Sequence, residues 1–508
     1  FETAGIKKVV SGPITHTPDG NFLLGPAPGL RNHWMCCAAS IGITQGPGCG
    51  KYLAQWMVHG QTEINVREMD PRRFGDWAIG KYALDKSIDE YEQMYATHYP
   101  GEFREAGRPV NTTPIYKKLK AQGAVFAETF GWERAKWFDN KSEGEKYSFR
   151  RNNSFDTVAE ECRAVRERVG LIDLSSFAKY EISGEDAESF LGRICANRLP
   201  KQDTDISGKG GVALVHMLTE LGGIECEATL TRLDKNLFYM LSAAVAELHD
   251  YDWLDQHLLP DEKVTIRNVS NNYGILVLTG PRSRDVMSKL TDADLSNEAF
   301  RWMQAKNIEL SGIPLRALRV SFVGELGWEL HHPLEKMEAL YDTLLEAGSE
   351  YGIANFGTYA MNSLRMEKAY KGWGSELTTE ITPIEAGLER FVDFNKFFLG
   401  REATLSRKLL GVNTKLVYVS VKTTDSDCLG NEPVLDLESS ETDRKIIGIT
   451  TSGAYGHTVG MSLAFAYVQP QYAEPGTKLD ILILGQNCQA TVLKEAAYDP
   501  KNFRLRDI

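Results

Sequence analysis

Long apolar runs are missing from this chain of 508 residues: none approaches the 18 or more consecutive apolar positions that a membrane-spanning helix requires. No membrane partner is therefore expected. Positive charge is also in deficit. Lys and Arg number 57 against 69 Asp and Glu, a net charge of −12, whereas a protein that grips phosphate backbones normally carries a basic surplus. Nucleic acid is not an expected partner either. Metal-binding spacings are absent too. None of the eight cysteines (Cys36, Cys37, Cys49, Cys162, Cys195, Cys226, Cys428 and Cys488) forms a CxxC pair, and the ten histidines contain no HExxH. Scattered cysteines of this kind read as small core hydrophobes in a reducing compartment. The His331-His332 pair closes a strand and reads as a surface feature. No metal is expected. Internal repeats and low-complexity stretches are likewise lacking.

What remains is the composition of a globular chain, 42% hydrophobic and 25% charged, long enough for roughly three domains. It begins at Phe1, without Met, and Ala4 to Val10 read as a connection running into a strand, as in the middle of a larger polypeptide. A strand is expected at 34–39. The glycine-rich stretch 40–51 then leads into helical spacing at 52–58, and a glycine-rich loop that opens a helix offers free backbone N–H groups to an anion or an electron-rich ring edge. Residues 68–112 are polar and aromatic, a linking helical segment. Helical periodicity follows at 156–169, 184–196, after Gly280-Pro281, and at 333–351. Two hairpins stand out. The first runs 215–230 around Gly222-Gly223 and puts Glu225 and Glu227 on one face. The second joins 318–323 to 328–331 through Gly324 to Gly327 and sets Phe322 and Glu329 on facing strands. Arg365, Glu367 and Lys368, at helical spacing, read as a salt-bridged helix face. Beyond about 412 the pattern is all-β, with strands at 445–450, 462–468 and 478–484 and alternation at Val417, Val419 and Val421: a small barrel or sandwich.

Several of these stretches resemble a known family. Thr113-Pro114-Ile115-Tyr116, Met217 with Gly222-Gly223 and Glu227, Phe322 to Glu329 read as (Tyr/Phe)xGlyGluxGlyxGlu, Ser363 to Lys368, Thr382 to Leu388 and Phe398 to Ala403 are similar to the aminomethyltransferase (glycine-cleavage T-protein) fold with its terminal barrel. Asn355 to Asn362, Trp373-Gly374-Ser375-Glu376, Thr450 to Gly453 and Ser462 to Val468 narrow the resemblance to the dimethylglycine and sarcosine dehydrogenases. Residues 1–67, including Gly12-Pro13-Ile14-Thr15, resemble the last part of those enzymes' flavin domain. The implied fold is α+β: an FAD-domain remnant (1–67), a central linking domain (68–112), a T-protein-like folate-binding domain (113–408) and a C-terminal β-barrel (409–508).

The resemblance also implies a chemistry. FAD takes hydride from an N-methylglycine, dimethylglycine or sarcosine, and tetrahydrofolate captures the resulting one-carbon unit as 5,10-methylenetetrahydrofolate. Capture needs a positioned nucleophile, a carboxylate for the proton and exclusion of water. Glu227 stands where the family has an acid, commonly Asp, and is the implied catalytic proton acceptor. Glu329 matches the acid that binds the pterin edge. Phe322 replaces the usual Tyr and keeps its stacking face. Gly42, Ile43 and Thr44 match the FAD-contacting loop. Alternatives of another class are a stand-alone folate-dependent transferase or demethylase and a non-catalytic folate-binding protein. Against the last, 396–402 lacks the cysteine of the iron–sulfur-assembly relatives. The implied compartment is the mitochondrial matrix or a bacterial cytoplasm.

Overall fold

Alternating apolar and polar residues, read against helices of 3.6-residue period, build two compact units in the computed structural model. It describes residues 3–201, 209–437 and 444–507. One unit comprises residues 1–97 and 104–110, the other 98–103 and 111–508.

In the first unit β1 (Leu23–Pro26) pairs antiparallel with β2 (Trp34–Cys37), followed by α1 (Gly42–His59) and α2 (Lys81–Gln93). The glycine-rich stretch expected to precede a helix lies inside one: α1 starts at Gly42 and includes Pro47. Each helical glycine costs about 1 kcal/mol relative to alanine. Docking offsets that cost, since Cys49 is buried and Trp56 meets Trp34 edge-on with ring centroids 6.0 Å apart.

The second unit opens with α3 (Tyr116–Ala121), the β3–β4 hairpin (Ala124–Thr129, Trp132–Phe138) and α4 (Phe155–Glu167). Then come β5 (Gly170–Asp173), β6 (Ala178–Ser183), α5 (Ala187–Ile194), β7 (Lys209–Leu218), β8 (Ile224–Asp234), β9 (Leu237–Ser242) and α6 (Glu247–Gln256). They are followed by β10 (Thr265–Asn268), β11 (Tyr273–Thr279), α7 (Ser283–Ser288), β12 (Gln304–Leu310), β13 (Ile313–Leu318) and β14 (Gly327–Pro333). α8 (Met337–Gly348), β15 (Ala354–Asn355) and α9 (Thr358–Glu367) complete this part. Among the described residues the strands form one eleven-stranded sheet in the order β10-β6-β9-β8-β7-β12-β13-β14-β11-β5-β15.

The sheet curls on itself. Five strand spacings separate β9 from β14, about 24 Å if flat, yet the Tyr239 hydroxyl on β9 lies 3.1 Å from His331 Nδ1 on β14. Helices cover the outer faces: α5 and Leu254 of α6 over Tyr180, Ile182, Cys226 and Met240, and α7 and α8 over Leu276, Leu278, Trp328 and Leu330. Tyr239, Leu241, Ile275 and Val277 face the interior, which α4 and α9 also line.

After α10 (Arg401–Leu410) six strands close into a barrel: β16 (Lys415–Val421), β17 (Pro433–Leu435), β18 (Ile446–Gly456), β19 (Met461–Val468), β20 (Lys478–Ile483) and β21 (Gln486–Val492). Closure leaves no free sheet edge. The last helix is α11 (Phe503–Arg506).

Three further expectations need correction. His331 and His332 are no surface feature; both are essentially fully buried, because β14 is covered on both faces. The second hairpin is shorter than expected. β13 ends at Leu318, which pairs with Glu329, and Phe322 lies in the 319–326 connection, not on a strand. The chain leaves the ladder because Arg319 exchanges backbone hydrogen bonds with Met303 and Gln304 and sends its guanidinium to the Phe300 carbonyl. Arg365, Glu367 and Lys368 form no exposed, mutually paired face. All three are buried and reach other elements: Arg365 to Glu376, Glu367 to Arg166, Lys368 to Asp499.

Candidate functional site

The turn between β7 and β8 sets the first part of the site. Gly222 has a positive φ of 85°, which suits glycine. Gly223 lies so close to the Thr379 carbonyl that a Cβ would come within 1.9 Å of that oxygen. The turn thereby seats against the 378–381 segment, where Ile224 N–H donates to the carbonyls of Thr378 and Ile381. From there β8 alternates. Cys226, Ala228 and Leu230 face the α5 side, and Glu225 and Glu227 face the other.

Cross-strand pairing puts Glu227 opposite His216 of β7. Its Oε2 lies 2.9 Å from His216 Nε2, with the histidine buried and 16% of the glutamate side chain exposed. Glu225 makes a similar contact one step earlier: its Oε1 is 2.6 Å from His249 Nε2, and Asp250 lies 2.9 Å from the other ring nitrogen. Near Glu227 sits Lys371, whose ammonium pKa is held below its usual range by burial and by Arg390, against the opposing pull of Glu227 and Glu376.

The second part is built on β14. Glu329 Oε2 lies 3.2 Å from His331 Nε2, and the Tyr239 hydroxyl meets the ring's other nitrogen. Burial pushes the His331 pKa down and that of Tyr239 up. The Arg316 guanidinium stacks 4.6 Å from the centre of the Tyr239 ring, and its buried Nε and Nη1 make no hydrogen bond among the described residues. Glu329 is 21% exposed and Glu227 16%, so both carboxylates are half-sheltered, as a polar ligand site requires. No hydrogen bond joins the two among the described residues. Tyr239 pairs with Thr231, four residues beyond Glu227 on the same face of β8, which separates the two carboxylate clusters by about 13 Å along the strand.

Phe322 remains 42% exposed, and its ring lies nearly parallel to that of Tyr370, with centroids 6.1 Å apart at 25°. Burial pushes the Tyr370 hydroxyl pKa up to about 12. Gly42, Ile43 and Thr44 form the first turn of α1 in the other compact unit. No side chain caps that helix, and Ile43 is 96% exposed. Sequence reasoning missed His216, Tyr239, His331 and Arg316. His216 was within reach of it, because counting back through the Gly222-Gly223 turn pairs it with Glu227.

Comparison with known proteins fits this architecture. The GCVT N-terminal domain family matches residues 115–396, the glycine cleavage T-protein C-terminal barrel domain 415–499, and the FAD dependent oxidoreductase central domain 59–113. Rat mitochondrial dimethylglycine dehydrogenase is 39% identical over 514 aligned residues, covering all of this chain. The chain belongs to the GCVT family, with the dimethylglycine and sarcosine dehydrogenases. Mouse mitochondrial sarcosine dehydrogenase is 29% identical over 564 residues, again covering the whole chain. The chain spans 58% and 60% of the length of these two relatives. The aminomethyltransferase T of the Bartonella henselae glycine cleavage system superposes with a TM-score of 0.63 at 24% identity, covering 77% of this chain and 98% of that one. That likeness is one of fold.

Proposed function

We propose that this chain is the folate-binding portion of a flavin-dependent dehydrogenase that demethylates dimethylglycine or sarcosine. Its domains are the end of the flavin domain (1–67), the linking domain (68–112), the folate domain (113–408) and the barrel (409–508). The cofactors are FAD and tetrahydrofolate, the substrate is a small N-methylated amino acid, and the compartment is the mitochondrial matrix or a bacterial cytoplasm. The observation that carries this reading is the pair of half-sheltered carboxylates on one interior face, each with one oxygen against a buried histidine and the other without a hydrogen bond among the described residues.

The donor set suits a reduced pterin. Glu329 offers its unengaged oxygen to the ring's N–H donors, Phe322 and Tyr370 offer aromatic surface, and the unpartnered Arg316 nitrogens offer donors to a ring carbonyl. The separation of about 13 Å between the two carboxylate clusters along the strand is on the scale of a fused bicyclic ring with its aminomethyl arm. Bound tetrahydrofolate supplies the nucleophilic nitrogens that take up the one-carbon unit to give 5,10-methylenetetrahydrofolate. Glu227 accepts the proton released from nitrogen, and partial burial of the site limits competition from water. For FAD, the uncapped first turn of α1 at Gly42, Ile43 and Thr44 offers backbone N–H groups.

Calorimetric titration with tetrahydrofolate tests the reading. We expect saturable binding that weakens about 10- to 100-fold in E329Q, the loss of a hydrogen bond to a charged acceptor. No binding at millimolar ligand, or equal binding by E329Q, defeats it.

A further inference from the structure

We infer that His216 is the positioning residue for Glu227: a neutral imidazole, locked by Asn197 in the tautomer that carries its proton on Nε2, pins one carboxylate oxygen and leaves the other to the ligand. This rests on the proposed role of Glu227, but the proton placement follows from hydrogen bonds alone.

Asn197 is buried, and each of its amide atoms has a definite partner. Its Oδ1 accepts the His216 backbone N–H at 2.6 Å. Its Nδ2 donates to the Leu214 carbonyl at 3.1 Å and lies 3.4 Å from His216 Nδ1. Flipping the amide would set its NH2 against a backbone N–H and its oxygen against a carbonyl, so the orientation is decided. Nδ1 therefore faces a donor and must accept. The ring proton sits on Nε2 and points at Glu227 Oε2, 2.9 Å away. The Phe391 ring, 6.0 Å off, flanks the imidazole. His249 is the contrast, since carboxylates of Glu225 and Asp250 stand at both of its nitrogens and impose no single neutral tautomer.

The consequence for Glu227 is directional. Oε2 is held by a fixed donor, so Oε1 is the oxygen that accepts the proton leaving the folate nitrogen as the carbon–nitrogen bond forms. The amide at Nδ1 has no acceptor to pass a proton to, which makes His216 an orienting donor and no link in a proton relay.

The test combines spectroscopy with paired variants of the whole chain. Long-range 1H–15N spectra of 15N-histidine-labelled protein should show one Nε2–H tautomer signal that disappears in both H216Q and H216L. A glutamine there can still donate an N–H to Glu227; a leucine cannot. Condensation of formaldehyde with tetrahydrofolate should slow about 100-fold in H216L, the scale of a misplaced catalytic group, and recover in H216Q. The tetrahydrofolate Kd should stay within about twofold in both, as in double-mutant terms the two roles are separate sites of action. An Nδ1–H signal for His216, or an H216L variant with the wild-type rate, overturns the inference. Wild-type protein that shows the tautomer but binds no tetrahydrofolate defeats the folate reading instead, and with it the catalytic meaning of the pin.

Discussion

At the scale of single residues, the site depends on glycines and histidines as much as on its acids. Gly223 brings its backbone against the Thr379 carbonyl so closely that no side chain fits, and this contact fixes the register from which Glu225 and Glu227 project. G223A is expected to lower stability by on the order of 3 kcal/mol, measured by denaturant unfolding, and to weaken tetrahydrofolate binding because β8 shifts with the turn. A variant as stable as wild type would show that the turn yields without cost. His332 illustrates the same economy of space. Gly274 leaves room for its imidazole, and burial holds the ring's pKa down at about 4, so it stays neutral at physiological pH.

At the scale of elements, α4 is held by an unusual acid. Glu161 is buried and accepts the backbone N–H groups of Phe138 at the end of β4 and Gly357 at the start of α9, each at 2.8 Å. Burial raises its pKa from 4.5 to about 7 despite those two donors. The folded state therefore binds this proton more tightly than the unfolded chain. The stability it contributes is full below about pH 4.5 and is lost as pH rises through about 7. A shift of that size corresponds to about 3 kcal/mol at most. Urea unfolding at pH 5 and pH 8 should show a decline in wild type that is smaller in E161Q; equal declines would refute the assignment.

Elements also show what the sequence made legible. The first hairpin follows from local signals, alternation on both sides of a Gly-Gly turn, and the first barrel strand follows from alternating valines. Phe322 does not, because the chain departs from β13 at Arg319 for partners at Phe300, Met303 and Gln304 that no local pattern announces. The fully buried His331-His332 pair was equally hidden. Period-two alternation signals a strand with one wet face, and a strand covered on both faces loses that contrast. The residue types of the carboxylate site were readable through family resemblance. His216 lies opposite Glu227 in the local hairpin and His331 two residues from Glu329, whereas Tyr239 reaches His331 only through curling of the sheet, a tertiary event.

At the scale of the whole molecule, the segment after the barrel returns to the curled sheet and completes its buried charges. The Tyr498 hydroxyl donates to Glu325 at 2.6 Å, Lys368 Nζ reaches Asn502 at 2.8 Å and Asp499, and Arg504 donates to the Arg166 carbonyl at 2.8 Å. Arg166 in turn pairs with Glu325 and Glu367. Removing one member of a buried ion pair costs about 3–5 kcal/mol. A chain ending at residue 497 should lose at least that much stability in denaturant unfolding, and K368M within the shortened chain should recover part of it. Unchanged stability on shortening would show these contacts to be dispensable.

This return of the chain also orders events during synthesis. Domains generally settle as they emerge from the ribosome, N-terminal parts first. Here Glu325 and Glu367 already have Arg166, but Lys368, just past the end of the same helix, waits for Asp499 and Asn502 before its ammonium is matched. The nascent protein must carry one buried ammonium short of its carboxylate until that stretch has been made, a stage at which chaperones would find it most exposed.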